Sequence, residues 1–230
     1  MTLADFTEQP VFGLTLTVVA YALALQIHKR WGALHPLLVC SVLIVAVLLL
    51  LHVPYESYRQ GADFIVFLLG PATVALGVPL YKNARKIKSM LLPIATGITV
   101  GSISALLLSA ALAWGLGGSR ELIVTMMPKS VTSPVALEIS KQAGGLPELT
   151  AVLTVLTGLI GSVLGPSLLR WAGVRDDISI GTAMGTAAHG IGTARIIRDS
   201  ELAGSISGFA MGAAAILTSV LFIPIYIWLS

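Results

Sequence analysis

Thr125-Met126-Met127-Pro128-Lys129-Ser130-Val131-Thr132-Ser133-Pro134 is the stretch whose reading decides this chain's fold. Lys129 is the only charged residue between Leu122 and Leu137. Pro128 and Pro134 bracket it, with hydroxyls at Ser130, Thr132 and Ser133. Proline removes a helix donor and clashes with the preceding turn, so one helix cannot run through undisturbed. Two half-helices follow, with unwound backbone between them and Lys129 in the gap. In lipid such backbone survives only where protein buries it or a watery cavity meets it. Broken helices near the bilayer middle build the binding sites of many secondary transporters. The competing reading, an exposed loop with a surface lysine, fits poorly with flanks this apolar.

The rest of the chain supports a membrane setting. Of its 230 residues, 56% are hydrophobic and 11% charged, and the mean hydropathy is +0.91. Soluble domains carry about 25% charged residues. Residues 89–119, 149–169 and 202–230 contain no Asp, Glu, Lys or Arg, and a run of roughly 18 apolar residues reads as a spanning helix. The fold class is an all-α polytopic membrane protein whose solvent is the lipid bilayer. A net charge of +3, with basic residues in short loops, gives no footprint for nucleic acid. A single cysteine, Cys40, excludes an internal disulfide and reads as packing. Residues 1–10 lack a basic n-region, so no cleavable signal peptide is expected.

Apolar segments lie at residues 11–27, 34–51, 64–80, 90–115, 147–169 and 202–229. Residues 55–63 read as a polar connection. Residues 121–142 form the broken segment, and 178–197 form a second irregular one rich in glycine. This gives six to eight crossings with broken or re-entrant helices. Lys29 and Arg30 share a side with Lys82, Arg85, Lys86 and Lys88 if the first four segments cross, and that side is cytoplasmic. Arg170 and Arg175 lie outside if 121–142 crosses, and inside if it re-enters. A weak repeat of 6–115 in 121–230 aligns Gly70, Gly77 and Gly97 with Gly185, Gly192 and Gly212. The small residues of 204–212 suit close helix packing.

Lys129 leads the candidate site. A lysine at the centre of a spanning helix costs about 2.5–3.5 kcal/mol on insertion scales. A carboxylate, carbonyl oxygens or an anionic ligand must offset that. Lys129, with the hydroxyls of Ser130 and Thr132, reads as an anion-binding group. The alternative is a buried pair with Glu138, or Glu138 paired with Lys141. The second constellation is Gly185-Thr186-Ala187-Ala188-His189-Gly190-Ile191-Gly192-Thr193-Ala194-Arg195. Thr186, His189, Gly190 and Arg195 are its candidate binding residues, since glycines admit a ligand closely and His189 titrates near neutrality. Arg195 reads equally well as a cytoplasmic surface charge beside Arg198. The third is Gly70-Pro71-Ala72-Thr73, where Gly70 and Thr73 would offer unwound backbone and a hydroxyl, or merely mark a kink. These charges sum to a site that prefers anions. No Cys/His metal spacing, acid–base pair or nucleophile triad is present, so neither enzyme, metal nor cofactor is expected. Gly190-Ile191-Gly192 lacks the βαβ context of a dinucleotide loop.

At these residues the chain resembles the LrgB/CidB family of bacterial membrane proteins. The carrying stretches are residues 69–81 (LGPATVALGVPLY), 127–134 (MPKSVTSP), 144–151 (GGLPELTA) and 185–195 (GTAAHGIGTAR). Ser133 and Ala188 depart from the pattern, where Thr and Ser are expected. The resemblance implies a multi-pass protein of the bacterial cytoplasmic (inner) membrane, a small LrgA/CidA-like membrane partner and a homo-oligomer. It implies two functions. One is an antiholin-like regulator of murein hydrolase activity and autolysis. The other is a carrier of small organic acid anions, pyruvate- or glycolate-like monocarboxylates, as in the similar chloroplast glycolate/glycerate translocator. The buried lysine between two prolines favours the carrier.

Overall fold

The computed structural model describes residues 7, 9–31, 34–75 and 77–229. Among them the chain is helical throughout, with no strand. The helices are α1 Pro10–Arg30, α2 Pro36–Leu50, α3 Tyr55–Ala75, α4 Gly77–Lys82, α5 Ala84–Ser89, α6 Leu91–Gly115, α7 Arg120–Met126, α8 Ser133–Gln142, α9 Pro147–Trp171, α10 Asp177–Ile196 and α11 Glu201–Leu229, with a 3-10 turn at Met127–Ser130. Of these, α1, α6, α9 and α11 are long and apolar enough to cross a membrane. The 25 residues of α6 or α9 span about 37 Å at 1.5 Å per residue.

The chain divides into two compact units, Met1–Ala75 and Leu76–Ser230. In the first, α1 packs on α2 through Ala20, Ala24, Cys40 and Ile44, which gives Cys40 the packing role expected. Gly13 and Gly61 bring the backbones of α1 and α3 together: a Cβ on either would overlap carbonyl oxygens of the other helix. Residues 55–63, expected as a polar connection, are instead the first turns of α3. Arg59 faces Glu56 at 3.7 Å and Asp63 at 4.0 Å. Opposite charges at helical spacing support exposed helix, and composition alone misread them as loop.

In the second unit the broken segment is a re-entrant hairpin. The first arm is α7, capped by the Ser119 side chain, which accepts from the Leu122 N–H at 3.2 Å. The tip is the 3-10 turn with extended Val131 and Thr132. Pro134 lies in the first turn of α8, where its missing N–H does no harm. The α8 arm then returns. Leu146 N–H donates to Thr125 Oγ1 at 2.8 Å, and Thr150 Oγ1 donates to Ser140 Oγ at 2.7 Å. The return brings the start of α9 back beside α7, on the side from which α7 entered.

Residues 177–196 form a second hairpin. Helix α10 breaks at His189, whose φ of 40° and ψ of −138° are non-helical. Residues 190–196 double back: Gly192 lies against Ala188 and Met184, and Ile196 joins the Met184, Ala188 and Ala203 cluster. The feet of the hairpin meet where Ser200 Oγ donates to Asp177 Oδ2 at 2.7 Å. Asp176 caps α10 by accepting the Ser179 N–H at 2.8 Å, and its bonds to Ser179 hold its carboxyl below the ordinary aspartate range.

Packing fixes the directions. Gly97 lies on Thr182 and Gly101 on Thr186, so α6 and the first arm of α10 run parallel. Gly165 lies on Met184, Gly161 on Ala188 and Gly158 on His189, so α9 runs antiparallel to that arm. Gly181 on Ala203 and Gly185 on Ser207 make α11 parallel to it. The two hairpins therefore enter from opposite sides, each followed by a helix that crosses from its own side. Residues 177–188 rise about 18 Å, half the length of α9.

Re-entry also resolves the charge question. The end of α9 lies level with the start of α6, so Arg170 and Arg175 share a side with Lys82, Arg85, Lys86 and Lys88, in keeping with the positive-inside rule. In a Cys40→Ser background, Val174→Cys and Lys86→Cys are expected to react with an impermeant thiol reagent from one side. Leu116→Cys and Ala143→Cys are expected to react from the other. Labelling of 143 from the side of 174 would mean that α7 and α8 cross.

The small residues of 204–212 do serve close packing: Gly204 lies on Ile197, and Ser207 and Ala210, both buried, lie against Gly185 of α10. A Cβ at Gly208 or Gly212 would meet nothing within 4 Å among the described residues, so the glycines of the close α10–α11 approach are Gly181 and Gly185. Glycine on the partner strips away the side chain as effectively as glycine on α11 would.

Candidate functional site

The tip of the first hairpin packs against α6, α9 and α10. Met127 and Pro128 are buried there, Met127 in a cluster with Leu106, Val124 and Phe222. Lys129 follows, half-buried. Its ammonium donates to Ser109 Oγ of α6 at 2.5 Å, and Ser109 in turn donates to the Ala105 carbonyl at 2.6 Å. No carboxylate stands within 4.0 Å of Lys129 among the described residues. Glu138 is exposed and accepts from Gln142 Nε2 at 2.8 Å. The buried Lys129–Glu138 pair is not formed, and neither is a Glu138–Lys141 pair.

An ammonium has three N–H donors, and Lys129 spends one on a neutral hydroxyl. The hydroxyls of Ser130 and Thr132 have no hydrogen-bond partner among the described residues. Thr132 is the N-cap of α8, with no side-chain bond to its first turn. A helix start carries partial positive charge. Donors, hydroxyls and positive potential therefore converge on one tip.

His189 forms the tip of the second hairpin and is buried, 5% exposed. Its Nε2 donates to the Thr154 carbonyl of α9 at 2.9 Å, since a carbonyl oxygen only accepts. Its positive φ is a conformation that ordinary side chains avoid, at about 1–3 kcal/mol, and such strain gathers at binding sites and switches. The ring lies over Gly158, where a Cβ would stand 2.6 Å from Cε1 and 2.7 Å from Nε2. Gly190 follows at the turn, open enough that a Cβ would first meet Met211 at 3.6 Å.

Other expected residues fall elsewhere. Thr186 faces α6 with its methyl group on Gly101, but its hydroxyl donates to the Thr182 carbonyl at 2.8 Å. Arg195 lies at the foot of the second hairpin, paired with Asp199 at 2.7 Å, the surface placement that sequence weighed equally. Gly70 lies on α3 of the first unit, with no neighbour within 4 Å of an added Cβ among the described residues. The side chain of Thr73 lies outside the described residues. Among the described residues no group of three His, Cys, Asp or Glu could hold a metal ion.

Sequence reading passed over Ser109, Ser102, Thr154 and the α9 glycines. Ser102 and Ser109 are seven residues apart, one face of an apolar helix, and Gly158, Gly161 and Gly165 line one face of α9. That periodicity was the available signal. The residues opposite each face were not legible.

Comparison with known proteins matches the model of the LrgB-like family over residues 17–229. The chain is 39% identical over 216 residues to the uncharacterized protein YxaC of Bacillus subtilis, covering 93% of this chain and 94% of that protein. It is 36% identical over 223 residues to the holin-like protein CidB of Staphylococcus epidermidis, covering 96% and 97%. It is 34% identical over 223 residues to the holin-like protein CidB of Staphylococcus aureus, with the same coverage. No solved structure matches.

Proposed function

This chain belongs to the LrgB-like family of membrane proteins, and we propose that within it the chain works as a carrier of small organic acid anions, pyruvate- or glycolate-like monocarboxylates. The observation that supports this is the Lys129 ammonium, bonded only to Ser109 among the described residues and set on a hairpin tip inside the fold. A desolvated cation without an acid calls for an anion, and a small carboxylate accepts from an ammonium and two hydroxyls at once. Two hairpins entering from opposite sides suit alternating access, since either can uncover the layer between the tips while the other covers it. The anion passes unchanged, with no covalent step, so the reading is not that of an enzyme. The setting is the bacterial inner membrane, as a homo-oligomer, with a small LrgA/CidA-like membrane protein beside it.

Reconstitution tests this. Liposomes carrying the pure chain, with and without an LrgA/CidA-like partner, are expected to take up labelled pyruvate or glycolate saturably. Uptake no greater than in empty liposomes under both conditions would overturn the carrier. The relatives' holin-like names favour a second reading, a regulator of autolysis or of membrane lesions. A lesion passes anions and neutral sugars alike and does not saturate.

A further inference from the structure

Between the second arm of the first hairpin and α11 lies a groove of about 690 Å³. Its apolar walls are Val135 and Ile139 of α8 and Phe222 and Ile223 of α11. Glu138 and Gln142, one turn apart on α8, give it a polar strip. Gln142 Nε2 donates to Glu138 Oε1 at 2.8 Å. Among the described residues the other carboxylate oxygen has no hydrogen-bond partner, and no cation stands within 4.0 Å of it.

The depth of this groove follows from α11, which starts on the side of the lysine-rich loop and runs to the opposite side. From Glu201 to Phe222 the helix rises about 31 Å at 1.5 Å per residue, and a hydrocarbon core is about 30 Å thick. Tyr226 and Trp228 come next in the chain, residue types that gather at the membrane–water boundary. The groove therefore reaches the outer edge of the hydrocarbon, and its polar strip lies close to the headgroups. Its inner end is lined by Pro134, two residues from Thr132 at the hairpin tip. Ile223 is exposed, as are Ile216 and Val220 on the same side of α11, so the groove opens toward lipid.

We propose that this groove holds an outer-leaflet phospholipid whose headgroup ends in a primary ammonium, with the ammonium on Glu138 and one acyl chain along the apolar walls. The site is independent of the carrier reading. A carboxylate at the hydrocarbon boundary gains most from an N–H donor that is itself charged. A primary ammonium offers three such donors, and a choline headgroup, fully methylated, offers none. A glycerol headgroup leaves the lipid's net negative charge facing Glu138, which repels it. Seated there, the lipid bridges α8 to α11 and steadies the arm that carries the first tip.

The test needs no substrate. The purified chain in detergent is titrated with phosphatidylethanolamine, its N-methyl and N,N-dimethyl forms, phosphatidylcholine and phosphatidylglycerol, all with the same acyl chains. Retained lipid is counted by native mass spectrometry, and the melting temperature is recorded. Wild type is expected to retain the ethanolamine lipid about tenfold over the choline lipid, the size of one hydrogen bond to a charged group. The methylated forms fall between them, and the ethanolamine lipid raises the melting temperature most. Glu138→Gln is expected to lose this order. Lys141→Gln, exposed on the same arm but outside the groove, is expected to keep it. Equal retention of the methylation series by wild type, or preference for the glycerol lipid, overturns the site without recourse to any variant. So does the wild-type order in Glu138→Gln. A disulfide-linked dimer of Ile223→Cys protein in native membranes, in a Cys40→Ser background, would seat a second copy in the groove and overturn the lipid.

Discussion

Lys129→Ala protein, reconstituted at wild-type density, is expected to take up labelled pyruvate at roughly one-tenth to one-hundredth of the wild-type rate, while remaining folded and inserted. The size follows from losing a hydrogen bond to a charged group, about 1.5–3 kcal/mol. The split between function and stability follows from the geometry. Lys129 bonds a neutral hydroxyl, and Glu138 bonds Gln142. Removing the lysine therefore strands no buried carboxylate, the event that makes a broken ion pair costly. Ser109 keeps its own acceptor at Ala105. Lys129→Arg restores the charge, but its planar fork is larger and presents donors differently, so uptake recovers only in part. Uptake and melting temperature are measured on wild type and both variants. Full uptake by Lys129→Ala, at wild-type stability, would remove the lysine from the site.

Gly158→Leu is expected to abolish both uptake and a monodisperse folded protein, a larger structural effect than any change at the first tip. A Cβ there already comes within 2.9 Å of His189 and of Ile191 Cδ1, so the rest of a leucine has nowhere to go. Overpacking costs about 1–3 kcal/mol and sometimes more. Separating α9 from the second tip also breaks the His189–Thr154 bond. Gly212→Leu is the control, since an added Cβ meets nothing within 4 Å among the described residues and leucine favours helix over glycine by about 1 kcal/mol. Size-exclusion profiles and uptake for both variants decide it. Wild-type behaviour of Gly158→Leu would mean that α9 and the His189 tip are not in contact.

Much of this was legible in the chain. The apolar runs set the type of the elements because a bilayer admits only internally satisfied backbone. The two prolines around Lys129 dictated a break, because a proline inside a helix lacks a donor. The second irregular segment was marked by its glycines and by His189, but no local rule makes a non-glycine residue turn with positive φ. The seven-residue spacing of Ser102 and Ser109 and the shared face of Gly158, Gly161 and Gly165 were signals present in the chain that the sequence reading passed over.

Tertiary structure decided the remainder. Whether the Pro128–Pro134 segment crosses or returns depends on whether Leu146 reaches Thr125, a contact 21 residues apart that local sequence does not encode. Lys129 met Ser109 rather than Glu138 because the turn carries it toward α6, while Glu138 lies exposed on α8. Charge counting pairs residues by nearness in sequence; packing pairs them by face. Arg195 shows the same division. Its type and segment suggested a binding group, but six residues of returning helix carry it away from the tip at His189 to an exposed position, where Asp199 meets it.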